Sequence, residues 1–473
     1  MAAIYRFCRD LRLEDHAGLA AAAAFGPIIP VLIVDRELED RLRRSPRRAA
    51  FFCGAARALD AALRSRGAGL IVRYGDPVRT LSVLVNETGA RTVAWSLPYD
   101  RTGMATGERL RLQLEENGVR CIAAHDAPAI APEETSAARS AGGGYRAFAP
   151  YYERWRAATP PSFEGPLLLS FTAGEIAGSP LPEPGKFGSD CREPECGSPH
   201  ALTKFRAFLA DGAGDYAFAI NLPADDRTSQ LGADLSFGTI AARTVVRETK
   251  ERAQDPFLLA EERSSLRLFL RSLAMRDFFL QLSWYHPQTD VEPLQEKMRS
   301  FPWNDDHPRL EAWRTGQTGY PLVDAGIGEL RAAGRMHPRV RAAAASFLCF
   351  DLGVDWRAGA AAWDRELIED DPALAVGNWQ WIAGVGADLA AYPRIYNPQR
   401  QLRRFDPDGR YVRKWIPELA HRAASAAASR QIDLPLYSGG IYARPIVEHD
   451  RAAREFLRRY REFTRSSGHP ANR

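Results

Sequence analysis

The sequence predicts a two-part protein, in which an α/β region with a parallel sheet is followed by a region built almost entirely from helices. The first 125 residues alternate short apolar runs with longer segments of helical spacing, a pattern typical of a parallel sheet covered by helices. After residue 201 strand signals nearly vanish and apolar residues recur at helical spacing. A chain of 473 residues is also too long for one ordinary core.

Five apolar runs are the predicted strands, and they are Ala3–Phe7, Ile28–Val34, Gly69–Tyr74, Thr92–Leu97 and Val119–Ala124. The segments between them have helical spacing, as in Ala49–Arg66, which Gly67 closes. No G-x-G-x-x-G fingerprint follows the first run, so we expect no dinucleotide bound there in the Rossmann manner. The charged segment RFCRDLRLEDHAGL stands in its place, and on composition alone it can simply cap the next helix.

The segment 126–200 is rich in proline, glycine and serine and shows little periodicity, which predicts a long connector. Its aromatic piece from Tyr145 to Trp155 is expected to pack on a domain surface. Helical periodicity then resumes in Leu202–Asp211, Thr239–Glu251, Glu261–Trp284 and Arg339–Leu352. The predicted parts are therefore an α/β domain at 1–125, a linker at 126–200 and a helical domain at 201–473.

Composition and cysteine usage exclude several classes of protein. Six scattered cysteines without a secretory leader indicate a reducing, cytoplasmic location, and no apolar run is long enough to span a bilayer. Cys191 and Cys196 are the only close pair, so we predict no metal site. A net charge of +4 is compatible with a basic face for nucleic acid but does not require one.

Two stretches carry candidate chemistry. The loop Thr228-Ser229-Gln230-Leu231-Gly232 precedes a predicted helix, where hydroxyls and free N–H groups can hold a phosphate or simply cap the helix. The stretch from Asp355 to Trp381 combines aromatic and acidic residues that suit a redox cofactor. Buried tryptophans are ordinarily core residues, however, and buried carboxylates are ordinarily members of structural ion pairs.

Read together, the motifs resemble those of the DNA photolyase/cryptochrome family across almost the whole chain. They occur in one order as RFCRDLRLEDHAGL, YRAFAPYYERW, TSQLGADLSFGTI, TGYPLVDAGIGEL, GRMHPRVRAAAASF, GNWQW and PRIYNPQRQLRRFDPDGRYVRKWIPEL. The resemblance implies a Rossmann-like antenna domain, a linker and an all-α domain that binds FAD. It also implies a blue-light reaction in which the excited flavin moves an electron.

The resemblance assigns roles position by position. The flavin site would comprise Tyr216, Thr228, Ser229, Leu231, Arg341, Glu369, Asp371 and Ala375. An electron-transfer chain from flavin to surface would run through Trp379, Trp356 and Trp303. Contacts to UV-damaged DNA, single- or double-stranded, would come from Arg276, Arg339, Gln401, Arg403 and Arg404. A second antenna chromophore of folate or deazaflavin type is implied without being identified, and we expect a monomer.

Several lesion and flavin positions depart from the family pattern. Ser272 and Met275 stand where dimer-repairing enzymes place a glutamate and a tryptophan, and Pro338 replaces the asparagine of M-H-N-R. Ala375 stands where an asparagine or aspartate usually faces flavin N5, and Glu369 is one methylene longer than the usual aspartate. Two hypotheses follow: a photolyase that repairs pyrimidine dimers, or a cryptochrome-like photoreceptor that photoreduces FAD with little or no repair.

Overall fold

The computed structural model describes residues 2–136, 143–163, 170–172, 176–387, 392–420 and 442–466. Its sheet contains five parallel strands in the order β3-β2-β1-β4-β5. The strands are β1 Ala3–Phe7, β2 Ile28–Val34, β3 Ile71–Tyr74, β4 Thr92–Ser96 and β5 Arg120–Ala124. The predicted parallel sheet is confirmed, with strand ends shifted by at most two residues from those expected.

Five helices accompany the sheet, and they are α1 Ala17–Ala23, α2 Arg36–Arg44, α3 Pro46–Arg64, α4 Pro77–Thr88 and α5 Arg101–Glu116. Local chemistry fixes where most of them begin. Four of these helices begin after a residue whose side chain accepts the backbone N–H three residues further along the chain, which pairs one of the free N–H groups of the first turn. These N-cap residues are Asp35, Ser45, Asp76 and Asp100. The strand β2 is buried along its whole length, because helices cover both faces of the sheet.

The rest of the described chain is helical, which confirms the predicted fold class. Its helices are α6 Pro132–Ser136, α7 Phe148–Ala157, α8 Ser198–Ala207, α9 Tyr216–Ala219, α10 Gly232–Phe237, α11 Ala242–Ala253, α12 Ala260–Tyr285, α13 His307–Thr315, α14 Pro321–Ala333, α15 Pro338–Ser346, α16 Trp356–Asp364, α17 Pro372–Ile382, α18 Pro398–Phe405, α19 Arg410–Trp415, α20 Pro417–Ala420 and α21 His449–Ser466. The division at residues 125 and 200 stays a prediction. None of the described helices is long and apolar enough to cross a membrane.

A buried ion network joins the sheet region to the helices. Asp126, just after β5, accepts from Arg12 in the loop after β1 at 3.0 Å and from Arg243 of α11 at 2.8 Å. All three residues are buried, so each charge offsets the desolvation of the others. Gly238 ends α10 with φ +66, and a Cβ there would lie 2.3 Å from the carbonyl oxygen of Arg9. Glycine at this position therefore permits the close approach of α10 to the loop after β1.

Candidate functional site

The site is built around a two-pronged ion pair between Arg341, in the first turn of α15, and Glu369, in the loop before α17. Nη1 of Arg341 lies 2.9 Å from Oε2 of Glu369, and Nη2 donates to Oε1 at 3.1 Å. Nε of Arg341 also donates to the carbonyl of Met336, which fixes the plane of the guanidinium. Both side chains are little more than a quarter exposed, so the pair can be reached from solvent.

The hydroxyl loop predicted from the sequence reaches this same ion pair. Thr228 and Ser229 are half-buried in the loop, while Leu231 is buried and forms the N-cap position of α10. A Cβ on Gly232 would lie only 2.3 Å from Oε1 of Glu369. Any larger residue at 232 would displace the carboxylate, so the start of α10 and the loop before α17 are closely packed.

Tyr216 of α9 lies on another wall of the site. Its hydroxyl is 3.1 Å from Oγ of Ser272 on α12, and burial raises the pKa of its phenol. The Ser272 hydroxyl also donates to the carbonyl of Leu268. Ser272, which stands at the position expected for a lesion-binding glutamate, is thus already engaged within the protein.

The altered positions border open space. Ser272, Pro338 and Ala375 are exposed and Met275 is half-buried. None of these four side chains fills a core position. Three of the four altered positions are therefore accessible from solvent.

Asp371 and Arg276 lie deeper than the sequence suggested. Asp371 caps α17 by accepting the N–H of Leu374, its carboxylate is 3.8 Å from Arg276, and burial raises its pKa. Arg276 is buried and donates to the carbonyls of Ala127 and Leu235. We expected Arg276 at the mouth of the site, but the structure places its guanidinium between the sheet region and the helices, where it balances Asp371.

A cavity at the carboxyl ends of the strands adjoins this pair. Its lining includes Arg9, Trp95, Tyr99, Asp100 and Asp371. Nε1 of the buried Trp95 has no hydrogen-bond partner among the described residues. The cavity lies outside the carboxyl ends of parallel strands, which is where open α/β sheets commonly bind ligands.

The three predicted electron-transfer tryptophans belong to one hydrophobic core. Trp379 of α17 and Trp356, the first residue of α16, are buried, whereas Trp303 is half-buried. The ring of Trp303 lies 6.0 Å from that of Phe456 in α21. The three tryptophans therefore extend from α17, which also carries Ala375, toward the protein surface beneath α21.

Sequence reasoning missed two further tryptophans in this core. Trp363 and Trp313 both contact the ring of Trp379, with centroid separations of 4.5 Å and 6.2 Å. A signal for Trp363 was present, because it follows Trp356 by seven residues and so lies on the same helix face. Trp313 gives no such signal, since it reaches the core from α13 only through the tertiary fold.

A basic surface lies on α15 and α18. Arg403 and Arg404 are exposed and Gln401 is half-buried. Arg339 and Arg404 lie over the ring of Phe405 at 5.7 Å and 5.3 Å. Burial, and next the charge of Arg404, lower the pKa of Arg339. Two like charges held this close favour a polyanionic partner.

One buried group of described residues could supply ligand atoms for a metal ion, but these residues already interact with other protein groups. Asp10, His16 and Asp126 bring ligand atoms within 4.8 Å of one another and are buried. Asp10 already accepts from Tyr5 and Ser96, and Asp126 accepts from guanidinium groups. The cluster therefore belongs to the network that joins the two regions.

Two family models match the chain. Residues 3–167 match the DNA photolyase model and residues 269–462 match the FAD binding domain of DNA photolyase. The deoxyribodipyrimidine photo-lyase of Halobacterium salinarum is 35% identical over 94% of this chain and 95% of that protein. The chain belongs to the DNA photolyase/cryptochrome family. Cryptochrome-1 of Arabidopsis thaliana is 32% identical over 94% of this chain and 68% of its own length.

Solved structures of this family have the same fold. A bacterial class III photolyase from Agrobacterium tumefaciens superposes with a TM-score of 0.83, at 30% identity and 98% coverage of both chains. An archaeal photolyase from Sulfolobus tokodaii, solved with two FAD molecules, has a TM-score of 0.83 at 27% identity, covering 98% of this chain and 100% of that one. As a family member the chain has an FAD-binding domain. Its hydroxyl loop and its arginine–carboxylate pair are polar groups of the kind that can bind phosphates and a polar ring edge.

Proposed function

We propose that this protein is a light-dependent photolyase that repairs pyrimidine dimers in UV-damaged DNA with an electron from reduced FAD. The observation that carries the proposal is the near full-length similarity to enzymes named deoxyribodipyrimidine photo-lyase. The ion pair of Arg341 with Glu369 and the buried tryptophans of the neighbouring helices support it.

The flavin site is proposed to use the Arg341–Glu369 pair together with the loop before α10 and Tyr216 of α9. Thr228, Ser229 and the backbone at Leu231 would hold the phosphates, and Tyr216 would close one side. When bound, FAD supplies light absorption and one-electron chemistry. The protein would orient the flavin, and the paired charges of Arg341 and Glu369 would keep the electric field at the edge of the flavin ring constant.

Trp379, Trp356 and Trp303 would return the flavin to its reduced form by passing electrons inward from the surface. An indole suits this role because it is large, oxidisable and stable in a core. The proposal predicts that Trp379→Phe slows photoreduction while FAD stays bound. Photoreduction at the wild-type rate in that variant would remove Trp379 from the chain.

DNA would bind along the basic surface of Arg339, Gln401, Arg403 and Arg404. Contacts to phosphates give sequence-independent, salt-sensitive affinity, and a dimer would be flipped from the stack toward the flavin site. We leave Arg276 out of this surface, because its buried guanidinium donates to the carbonyls of Ala127 and Leu235. We propose that a monomer acts on single- or double-stranded DNA in the cytoplasm.

A cryptochrome-like photoreceptor is the second candidate, and one observation favours it. The Ser272 hydroxyl is engaged with Leu268 and Tyr216, while Pro338 lacks an N–H and Ala375 lacks any polar group. The groups that usually position a dimer are thus absent at these positions. FAD and the tryptophans would then serve light sensing with little or no repair.

Blue-light repair of a dimer-containing oligonucleotide by the fully reduced protein separates the two candidates. We expect dimer loss that requires light, on both single- and double-stranded substrates. Absence of repair alongside normal photoreduction would refute the photolyase proposal and leave the photoreceptor.

A second chromophore is proposed for the cavity at the carboxyl edge of the sheet. The two FAD molecules in the Sulfolobus tokodaii photolyase support a second site in this fold. Trp95 and Tyr99 offer aromatic walls, and Arg9 and Asp100 offer polar contacts. Extraction of the purified protein and mass analysis of its chromophores would identify a folate, a deazaflavin or a flavin, and recovery of FAD at one equivalent alone would refute the second site.

A further inference from the structure

We propose that the Asp355–Arg357 ion pair sets the oxidation potential of Trp356, so that this tryptophan passes a positive charge outward instead of holding it. The inference rests on the proposed function, because it requires electron transfer through Trp379, Trp356 and Trp303. It goes beyond that function by assigning a part to two charged residues. They act through the Trp356 ring and are positioning residues for the transfer.

The helix α16 and the loop before it link Trp356 with both of its neighbours in the proposed chain. A Cβ on Gly359 would lie 2.4 Å from Cη2 of Trp379, so the Trp379 ring lies against α16 one turn after Trp356. On the other side, the backbone N–H of Asn304, which follows the third tryptophan, donates to the carbonyl of Gly353 at 2.7 Å. Trp356 stands where this loop meets the helix.

One cation is held over the Trp356 ring. The Arg357 guanidinium lies 5.0 Å from the ring centroid. Its Nε donates to the carbonyl of Val291 at 2.8 Å, and its Nη1 pairs with Oδ2 of Asp355 at 2.8 Å, so two contacts fix the guanidinium. An indole in its ordinary state attracts this cation, whereas an oxidised indole is repelled by it. Arg357 therefore raises the oxidation potential of Trp356, and Asp355 lowers it.

The energy of oxidised Trp356 depends on nearby charge because the ring keeps its proton. Trp356 is buried, and its Nε1 has no hydrogen-bond partner among the described residues that could take the proton. One electron passes from Trp356 to oxidised Trp379, and one then passes from Trp303 to oxidised Trp356; no bond forms or breaks. A raised potential at Trp356 favours the second transfer, so the charge moves on to Trp303.

An ion pair suits the middle position better than a cation alone. Arg357 without a counter-charge would also oppose the first transfer, in which Trp356 becomes oxidised. Asp355 offsets part of that repulsion, and as the N-cap of α16 its carboxylate also accepts the N–H of Arg357 at 2.9 Å. Both side chains are about one third exposed, so solvent screens the pair further. Trp356 therefore stays oxidisable but holds the charge less firmly than it would without Arg357.

Transient absorption of the FAD-loaded protein after a blue flash measures how long the charge stays on Trp356. Trp303→Phe removes the next donor, so the charge stops on Trp356 and returns through the first tryptophan. In this background Arg357→Gln should lengthen the lifetime of the radical cation by about fourfold or more, the factor for a unit charge at 5.0 Å screened as in bulk water. Asp355→Asn should shorten it, because asparagine still caps the helix but no longer offsets Arg357.

Two controls in the same background separate charge from structure. Arg357→Lys keeps the positive charge and should restore a lifetime close to that of Trp303→Phe alone. Arg44→Gln removes a cation that pairs at 2.9 Å with Asp364, at the far end of α16. It should leave the lifetime unchanged, because the helix separates Asp364 from Trp356 by about 12 Å, more than the screening length of about 8 Å in physiological salt.

Unchanged lifetimes in both charge variants, or changes of the same sign, would overturn the proposal, because structural damage does not depend on which sign of charge is removed. A lifetime in Arg357→Lys equal to that in Arg357→Gln would overturn it too, as would an equally large change in Arg44→Gln. Failure of the proposed function has a different signature: Trp379→Phe would then form tryptophan radicals at the wild-type yield.

Discussion

Replacing Asp126 by asparagine is expected to destabilise the protein strongly, because it removes the carboxylate that pairs with two buried arginines. The carboxylate accepts from Arg12 at 3.0 Å, from Arg243 at 2.8 Å and from the N–H of Ala17 at 3.0 Å. The Asp126, Arg12 and Arg243 side chains are at most 2% exposed, so water cannot replace the lost partner. Breaking a buried pair in this way costs about 3–5 kcal/mol, against a typical total stability of about 5–15 kcal/mol.

The same substitution at an exposed pair is the control. Asp76 lies 3.3 Å from Arg109, and both side chains are about half exposed or more. Asp76 also caps α4 through the N–H of Arg79, but asparagine caps a helix equally well. Asp76→Asn should therefore change the unfolding free energy by no more than about 0.5 kcal/mol.

Urea unfolding followed by circular dichroism and by tryptophan fluorescence measures the difference. The arginine charges hold the pKa of Asp126 well below its ordinary value despite burial. A depressed pKa contributes stability that is present above the unfolded pKa of about 3.9 and is lost as pH falls toward the folded value. The Asp126→Asn deficit should be constant between about pH 5 and 8 and shrink below about pH 4. A deficit equal to that of Asp76→Asn, or one unchanged at pH 3, would refute this reasoning.

Three further predictions concern the site. Glu369→Gln should weaken FAD binding about tenfold, because it removes a charge-assisted contact worth about 1.5 kcal/mol. A flavin fluorescence titration measures the affinity. An unchanged affinity would contradict the proposed role of the Arg341–Glu369 pair. Ala375→Asn should change which radical form of the flavin accumulates under blue light, since the amide can hydrogen-bond N5; an identical absorption spectrum would remove residue 375 from that position. Arg404→Gln should lower DNA affinity and reduce the salt slope by about one, and a slope equal to that of the wild type would exclude a phosphate contact.

The strands and the helical character of the second half were predictable because their signals are local. A run such as Ile28–Val34 is apolar throughout, and Asp35 and Ser45 mark helix starts within three residues of the groups they cap. The family motifs are local in the same way. They singled out Arg341 and Glu369, which are 28 residues apart and form an ion pair in the structure.

The inward position of Arg276 and the ring contacts of the tryptophans could not be predicted, because they depend on residues far apart in the chain. The sequence by itself determined that the protein has a parallel sheet followed by helices and that its motifs are those of one flavoprotein family. Only the tertiary structure decided that Arg276 faces inward against Asp371, and that Trp313 reaches Trp363 and Trp379. The physical reason is that a periodic pattern fixes which face of an element is buried, whereas packing between elements decides which side chains meet there.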